Sequence, residues 1–113
     1  MIYHLAEQAH WQQALRDGSY VRSTRGRSLA EEGFIHASRA DQWEDVRARY
    51  YSDIEGPLVL LEVDTDLLDV RWVEEPPAPG VAETYPHVYG PIPTAAVVGV
   101  RGLSWLPPEV RRG

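Results

Sequence analysis

The sequence predicts an α+β domain with a split, mostly antiparallel β core and two helices on one side of it. Three observations carry that reading. The apolar segments are mostly short and rich in Ile, Val, Leu and Tyr, as strands are. Only two stretches, both in the first half, repeat their apolar residues at helical spacing. Glycine and proline punctuate the second half closely, which keeps its segments short.

In chain order, Ile2 to Leu5 is the first strand, with Ile2 and His4 on one face and Tyr3 and Leu5 on the other. Glu7 to Arg16 is a helix. Trp11, Ala14 and Leu15 share one side, and Gly18 is placed to stop it. A weaker strand signal covers Tyr20 to Thr24, and Arg25 to Glu32 reads as a loop or a single turn. Phe34 to Ala37 is a strand. Ser38 then suits a helix N-cap, and the helix runs to about Tyr50 with Trp43, Val46 and Tyr50 buried.

Gly56-Pro57 is a break. Leu58 to Val63 is the most continuous apolar run and so the central strand. Asp64 to Asp69 is a turn or short helical segment, and Val70 to Glu74 alternates like a half-exposed strand. Glu75 to Ala82, with three prolines and a glycine, is a loop. Three further prolines between Tyr85 and Pro93 predict contact with a sheet edge, not an interior strand. Ala95 to Val100 is the last strand. Residues 1–103 form one domain and residues 104–113 a surface tail.

Composition narrows the chemistry. With no cysteine, disulfides, thiolate metal sites and cysteine nucleophiles are excluded. All 11 basic residues are arginine, so lysine Schiff-base and P-loop chemistry are excluded too. A net charge of -6 argues against broad nucleic-acid binding but not against a small ligand on a local patch. No secretion signal and no membrane-spanning run is read, so a soluble cytoplasmic protein is expected, with a small molecule as its partner.

Histidines mark the candidate site. His4 in its apolar strand reads either as a core imidazole bonded to a carbonyl or as a ligand contact. His36 alternates with Phe34 and Ser38, so a flat ring, an imidazole and a hydroxyl share one face. His87 sits in a proline-stiffened segment between Tyr85 and Tyr89. His10 reads as structural. Arg22, Arg25 and Arg27 around Ser23, Thr24 and Gly26 suit phosphate oxygens, or form a solvated basic loop. Glu83 could hold a ribose hydroxyl or act as a base, and Glu62, in an apolar strand, needs a partner. Three histidines could bind zinc, but no close His pair exists. A serine hydrolase built on Ser38 lacks the Gly-x-Ser-x-Gly turn.

The chain resembles a small bacterial family catalogued as domain of unknown function 952. The resemblance rests on Ile2-Tyr3-His4 before a helix with Trp11, on Ser28-Leu29, Glu32 to Ser38, Leu58 to Asp64 and Tyr85 to Pro91. Ala37 stands where that family has leucine, and Tyr85 where it has phenylalanine. A more distant resemblance is to ADP-ribosyltransferase-like folds, through Tyr3-His4, the helix ending at Gly18 and the Gly33-to-Ser38 strand.

That resemblance implies a cleft lined by His4, His36, Ser38, His87 and Tyr89 that takes NAD as a cofactor or substrate and transfers or hydrolyses ADP-ribose. His4 would hold the ribose, Phe34 and Tyr89 would stack on a ring, and the arginine loop with Arg25 would meet the pyrophosphate. His36, His87 and Glu83 are the candidate catalytic residues, with no metal. A non-catalytic metabolite- or protein-binding module and a metal-dependent hydrolase are the alternatives.

Overall fold

The computed structural model describes residues 1–24, 27–54 and 56–103. The expected tail at 104–113 and the candidate phosphate contact Arg25 lie outside the described residues. Strand β1 (Ile2–Glu7) runs straight into helix α1 (Gln8–Asp17). Gly18 ends α1 with φ 87°, a left-handed conformation that suits a residue without Cβ, and its N–H reaches the Ala14 carbonyl. Three short strands follow: β2 (Ser19–Tyr20), β3 (Arg22–Thr24) and β4 (Arg27–Ser28). Helix α2 (Leu29–Glu32) is one turn, held by a capping box. Ser28 Oγ accepts from the Glu31 N–H, and the Glu31 carboxylate accepts from the Ser28 N–H.

After strand β5 (Ile35–His36), helix α3 (Trp43–Tyr50) leads to strand β6 (Leu58–Val63). The second half supplies β7 (Trp72–Glu75), β8 (Tyr85–Val88), β9 (Ile92–Pro93) and β10 (Val97–Leu103), with 3-10 turns at Thr65–Leu67 and Thr94–Ala96. No helix among the described residues is long and apolar enough to cross a membrane.

All strand pairs among the described residues are antiparallel. One sheet has the order β1-β6-β10 and another the order β5-β8-β7. Two-stranded pairs β2-β9 and β3-β4 flank them. The two larger sheets are stitched by a bridge between Tyr3 and Ser38, whose N–H and carbonyl groups bond reciprocally at 2.8 and 2.7 Å.

The continuous apolar run of β6 is central, as its sequence predicts, and both its faces are covered. Val59, Leu61 and Val63 join Ile2, Ala6, Trp11 and Ala14 in the larger core, together with Ile35 and Val88 from the second sheet. Leu58 and Leu60 join Leu5 and Tyr51 in a smaller core, against which Tyr3, Trp43 and Val46 pack. The expected alternation along β1 is therefore observed.

The helices, however, do not share one side. Trp11 and Ala14 of α1 serve one core, and Trp43 and Val46 of α3 the other. A strand apolar on both faces requires this. Two stripe residues also fall outside: Leu15 and Tyr50 are each 58% exposed, and Tyr51, one position on, is buried instead.

Two further expectations are corrected. Ser38 does not cap α3. Its backbone is committed to Tyr3, the chain stays extended, and the helix starts later, at Trp43. The segment from Tyr85 is not at an edge, because β8 is the middle strand of its sheet despite Pro86. The ladder tolerates this proline. Tyr89 N–H bonds to the Arg71 carbonyl, so by antiparallel alternation Glu74 and Pro86 face each other as a pair that exchanges no hydrogen bonds. On the other side the Pro86 carbonyl accepts from Ala37 where β5 has ended.

Glu62 finds its expected partner: it is half-buried over Gly99, with Arg101 at 3.4 Å.

Candidate functional site

Pairing places two of the candidate histidines side by side. In the β5-β8 register His36 lies opposite His87, next to the pair Ile35 and Val88. Ile35 and Val88 are fully buried in the core, so strand alternation turns His36 and His87 to the other face of the sheet. Phe34, two residues before His36, and Tyr89, two after His87, complete a ring cluster. Phe34 stacks on His87 with centroids 4.1 Å apart, and contacts His36 edge-on at 4.7 Å and Tyr89 at 5.5 Å. The two imidazoles meet edge-on at 5.1 Å.

Each imidazole has its own carboxylate. His36 Nε2 lies 3.1 Å from Glu32 Oε1, and Glu32 also pairs with Arg27 at 2.7 Å. The capped turn α2 thus aims Glu32 back at His36, four residues on. Burial lowers the His36 pKa and Glu32 opposes that shift. The bond with His36 in turn holds the Glu32 carboxyl below its usual range.

His87 Nδ1 lies 2.8 Å from Glu75 Oε1, and the Tyr89 hydroxyl donates to the same oxygen. The Tyr89 bond first, then the His87 bond, keep the Glu75 carboxyl low, and Glu75 pushes the Tyr89 phenol up. The Arg71 guanidinium sits 5.0 Å over the Tyr89 ring.

His4 is a different case. It is buried, with Nδ1 2.5 Å from the His36 carbonyl and Nε2 3.1 Å from the Tyr20 hydroxyl. Nδ1 therefore donates and Nε2 accepts, so neither nitrogen is left for a ligand. Burial lowers its pKa to about 4, so the ring is neutral at ordinary pH. Desolvation likewise raises the Tyr20 phenol. His4 thus fixes the backbone at His36, and it also borders the cleft that opens there.

Beside His36 opens a cleft of about 340 Å3 at the seam of the two large sheets. His4, His36, Ala37 and Ser38 line it together with Leu5, Thr24, Val46, Pro77 and the tyrosines 50, 51 and 85. His87, expected in this lining, is absent from it, and so are Phe34 and Tyr89, expected to stack on a ligand. They pack on His87 and Glu75, and Tyr50, Tyr51 and Tyr85 supply the aromatic surface in their place. Thr24 Oγ1 lies 3.4 Å from the Tyr51 hydroxyl. Burial first, then Glu83, raises the Tyr85 phenol.

Glu83 does not reach the histidines. Its carboxylate accepts from Gln42 Nε2 at 3.1 Å, and Gln42 also donates to the Thr84 carbonyl at 2.8 Å. Buried Gln42, with Arg39 bonded to Glu74 and to the Thr84 carbonyl, fastens the loop before β8 to the start of α3.

Of the expected phosphate set, Arg27 is paired with Glu32, and the buried Ser23 hydroxyl donates to the Phe34 carbonyl. His10 is half-buried, 3.6 Å from Glu7 and apart from the cluster, as a structural residue should be. Among the described residues no three His, Asp or Glu side chains converge on a metal position.

Glu32, Glu75 and Gln42 are the site residues that sequence reasoning missed. Glu32, at i−4 from His36, was open to discovery from spacing alone. Glu75 and Gln42 depend on cross-strand register.

The family model described as "Protein of unknown function (DUF952)" matches residues 5–100. The chain belongs to this family. Two solved structures of CC0527 from Caulobacter crescentus share the DUF952 chain's fold. The crystal structure is 25% identical with TM-score 0.74, covering 96% of this chain and 90% of that one. The solution structure is 26% identical with TM-score 0.70, covering 96% and 88%. Among curated proteins none matches.

Proposed function

We propose that the cleft binds a nucleotide-type small molecule, NAD first among candidates, and that the chain transfers or hydrolyses its ADP-ribose. One observation carries the reading: the half-buried His36, held at Nε2 by Glu32, stands in a cleft walled by tyrosines and hydroxyls. Such a wall stacks on a flat ring, and the hydroxyls and imidazole bond its edge or a ribose. The volume lies near the lower end of ligand clefts, which run from ~300 to ~1,000 Å3. It suits a base with its ribose and leaves a pyrophosphate at the mouth. The ADP-ribosyltransferase-like arrangement is the analogy behind the choice of NAD. When bound, NAD would supply a glycosidic bond to a cationic nicotinamide ring that can leave neutral, and this chain would orient it.

The test is turnover. With NAD added, the melting temperature rises by mass action and nicotinamide appears in solution. His36→Ala then lowers release about 100-fold, the usual scale for a lost acid or base. A melting shift without nicotinamide favours a metabolite-binding module, for which the largely apolar lining is already sufficient. No shift removes NAD.

A further inference from the structure

His87 holds a polar atom that the site described above leaves unused. The residue is 1% exposed, and its Nε2 is buried with no hydrogen-bond partner. Buried polar atoms are nearly always paired, so a bare one calls for an explanation. The other nitrogen fixes its chemistry. Nδ1 faces the Glu75 carboxylate and so carries a hydrogen, and in the Nδ1–H tautomer Nε2 is left with a lone pair. Only a donor can satisfy that lone pair. The Phe34 ring covers His87 from one face, and His36, a wall residue of the cleft, touches its edge.

We propose that Nε2 of His87 marks a second subsite, beside the cleft and beneath Phe34, that takes a neutral hydroxyl group (water, or the hydroxyl of an alcohol or sugar) and accepts its proton. A carbonyl or carboxylate offers no donor, and an ammonium would lose its hydration against the Phe34 ring. The cover is built to open. Phe34 is only half-buried. Its backbone is pinned, since Ser23 donates to its carbonyl and Gly33, at φ 90°, closes α2 with a bond to the Leu29 carbonyl. The side chain can therefore rotate while the strand stays in place.

The binding half of this proposal is independent of NAD, whereas its reaction rests on the reading above. There the hydroxyl O–H bond breaks and its proton goes to His87 Nε2. The oxygen bonds to the anomeric carbon of the ribose, the carbon–nitrogen bond to nicotinamide breaks, and nicotinamide leaves neutral with the electron pair. Glu75 is the positioning residue that keeps the lone pair on Nε2.

Side-chain 15N NMR of the whole chain tests the subsite directly. His87 should show the Nδ1–H tautomer, and added methanol, but not acetone, should move its Nε2 resonance upfield. Phe34→Ala, or Phe34→Leu if alanine unfolds the strand, should bring that response at lower methanol concentration. Glu75→Gln, which can offer an N–H to Nδ1, should move His87 toward the Nε2–H tautomer and weaken the response. An Nε2–H tautomer in the native chain, no methanol response even without Phe34, or an equal response to acetone overturns the proposal.

In the NAD assay, His87→Gln should cut nicotinamide release about 100-fold while the melting shift with NAD persists. Release at the native rate would overturn the proton-accepting role. Absence of any NAD effect, with the methanol response intact, would instead sink only the NAD reading.

Discussion

His36 and His87 are register partners on neighbouring strands, their rings 5.1 Å apart, and each is bonded to a carboxylate from a different element. The nearness of His87 adds to burial in lowering the proton affinity of His36.

Glu32 is the group that works against this. It raises the proton affinity of His36 while burial and His87 lower it. Glu32→Gln should therefore lower the His36 pKa further below 6.5, read by NMR titration of its ring protons. An unchanged or raised value would show that Glu32 does not set the charge of His36.

His4 predicts a pH dependence of stability. Its pKa falls from 6.5 to about 4 on folding, so between those values the unfolded chain binds a proton that the native chain refuses. Its contribution is complete above pH 6.5 and is lost as pH falls toward 4. The size is about 3 kcal/mol at ~1.4 kcal/mol per pKa unit. The lowered His36 pKa acts in the same sense. Urea melts from pH 7 to pH 4 should lose stability, and His4→Gln should flatten that slope. An equally steep slope in the variant would assign the loss elsewhere.

Two glycines should differ in their tolerance of alanine. A Cβ at Gly90 would lie 2.5 Å from Val70 Cγ1 and 2.9 Å from its Cβ, atoms close to a backbone that cannot swing away. One at Gly99 would meet the Glu62 carboxylate, the end of a flexible chain. Gly90→Ala should cost about 1–3 kcal/mol as overpacking, and Gly99→Ala less, as read by thermal melts. The reverse order would contradict these contacts.

Ser28→Ala removes the box that holds α2, at a cost of about 1 kcal/mol. Because α2 carries Glu32, the same change should also lower the His36 pKa. A stability loss without that second effect would uncouple the cap from the site.

The fold was legible wherever one segment's own pattern decides its structure. The bounds of β6 at Leu58 and Val63, the faces of β1 and the stop at Gly18 follow from local apolar spacing and glycine chemistry. Prediction failed where the answer lies between segments. The helices flank opposite faces because β6 needs cover on both. Pro86 sits inside a sheet because its missing N–H faces away from β7, toward the place where β5 has ended. The site shows the same division. Phe34, His36, His87 and Tyr89 stand out by residue type, and they do meet. Which carboxylate serves His87 was not readable: Glu83 is nearer in sequence, but the β7-β8 pairing delivers Glu75.

The paired amides of Tyr3 and Ser38 pin one sheet to the other along a single line, and the cleft draws its wall from both sides of that line. Whatever settles there acts as a cross-brace between two plates joined at a spine. Tightening by an occupant would thus be felt first at those two amides, whose exchange with deuterium should slow before that of the buried centre of β6.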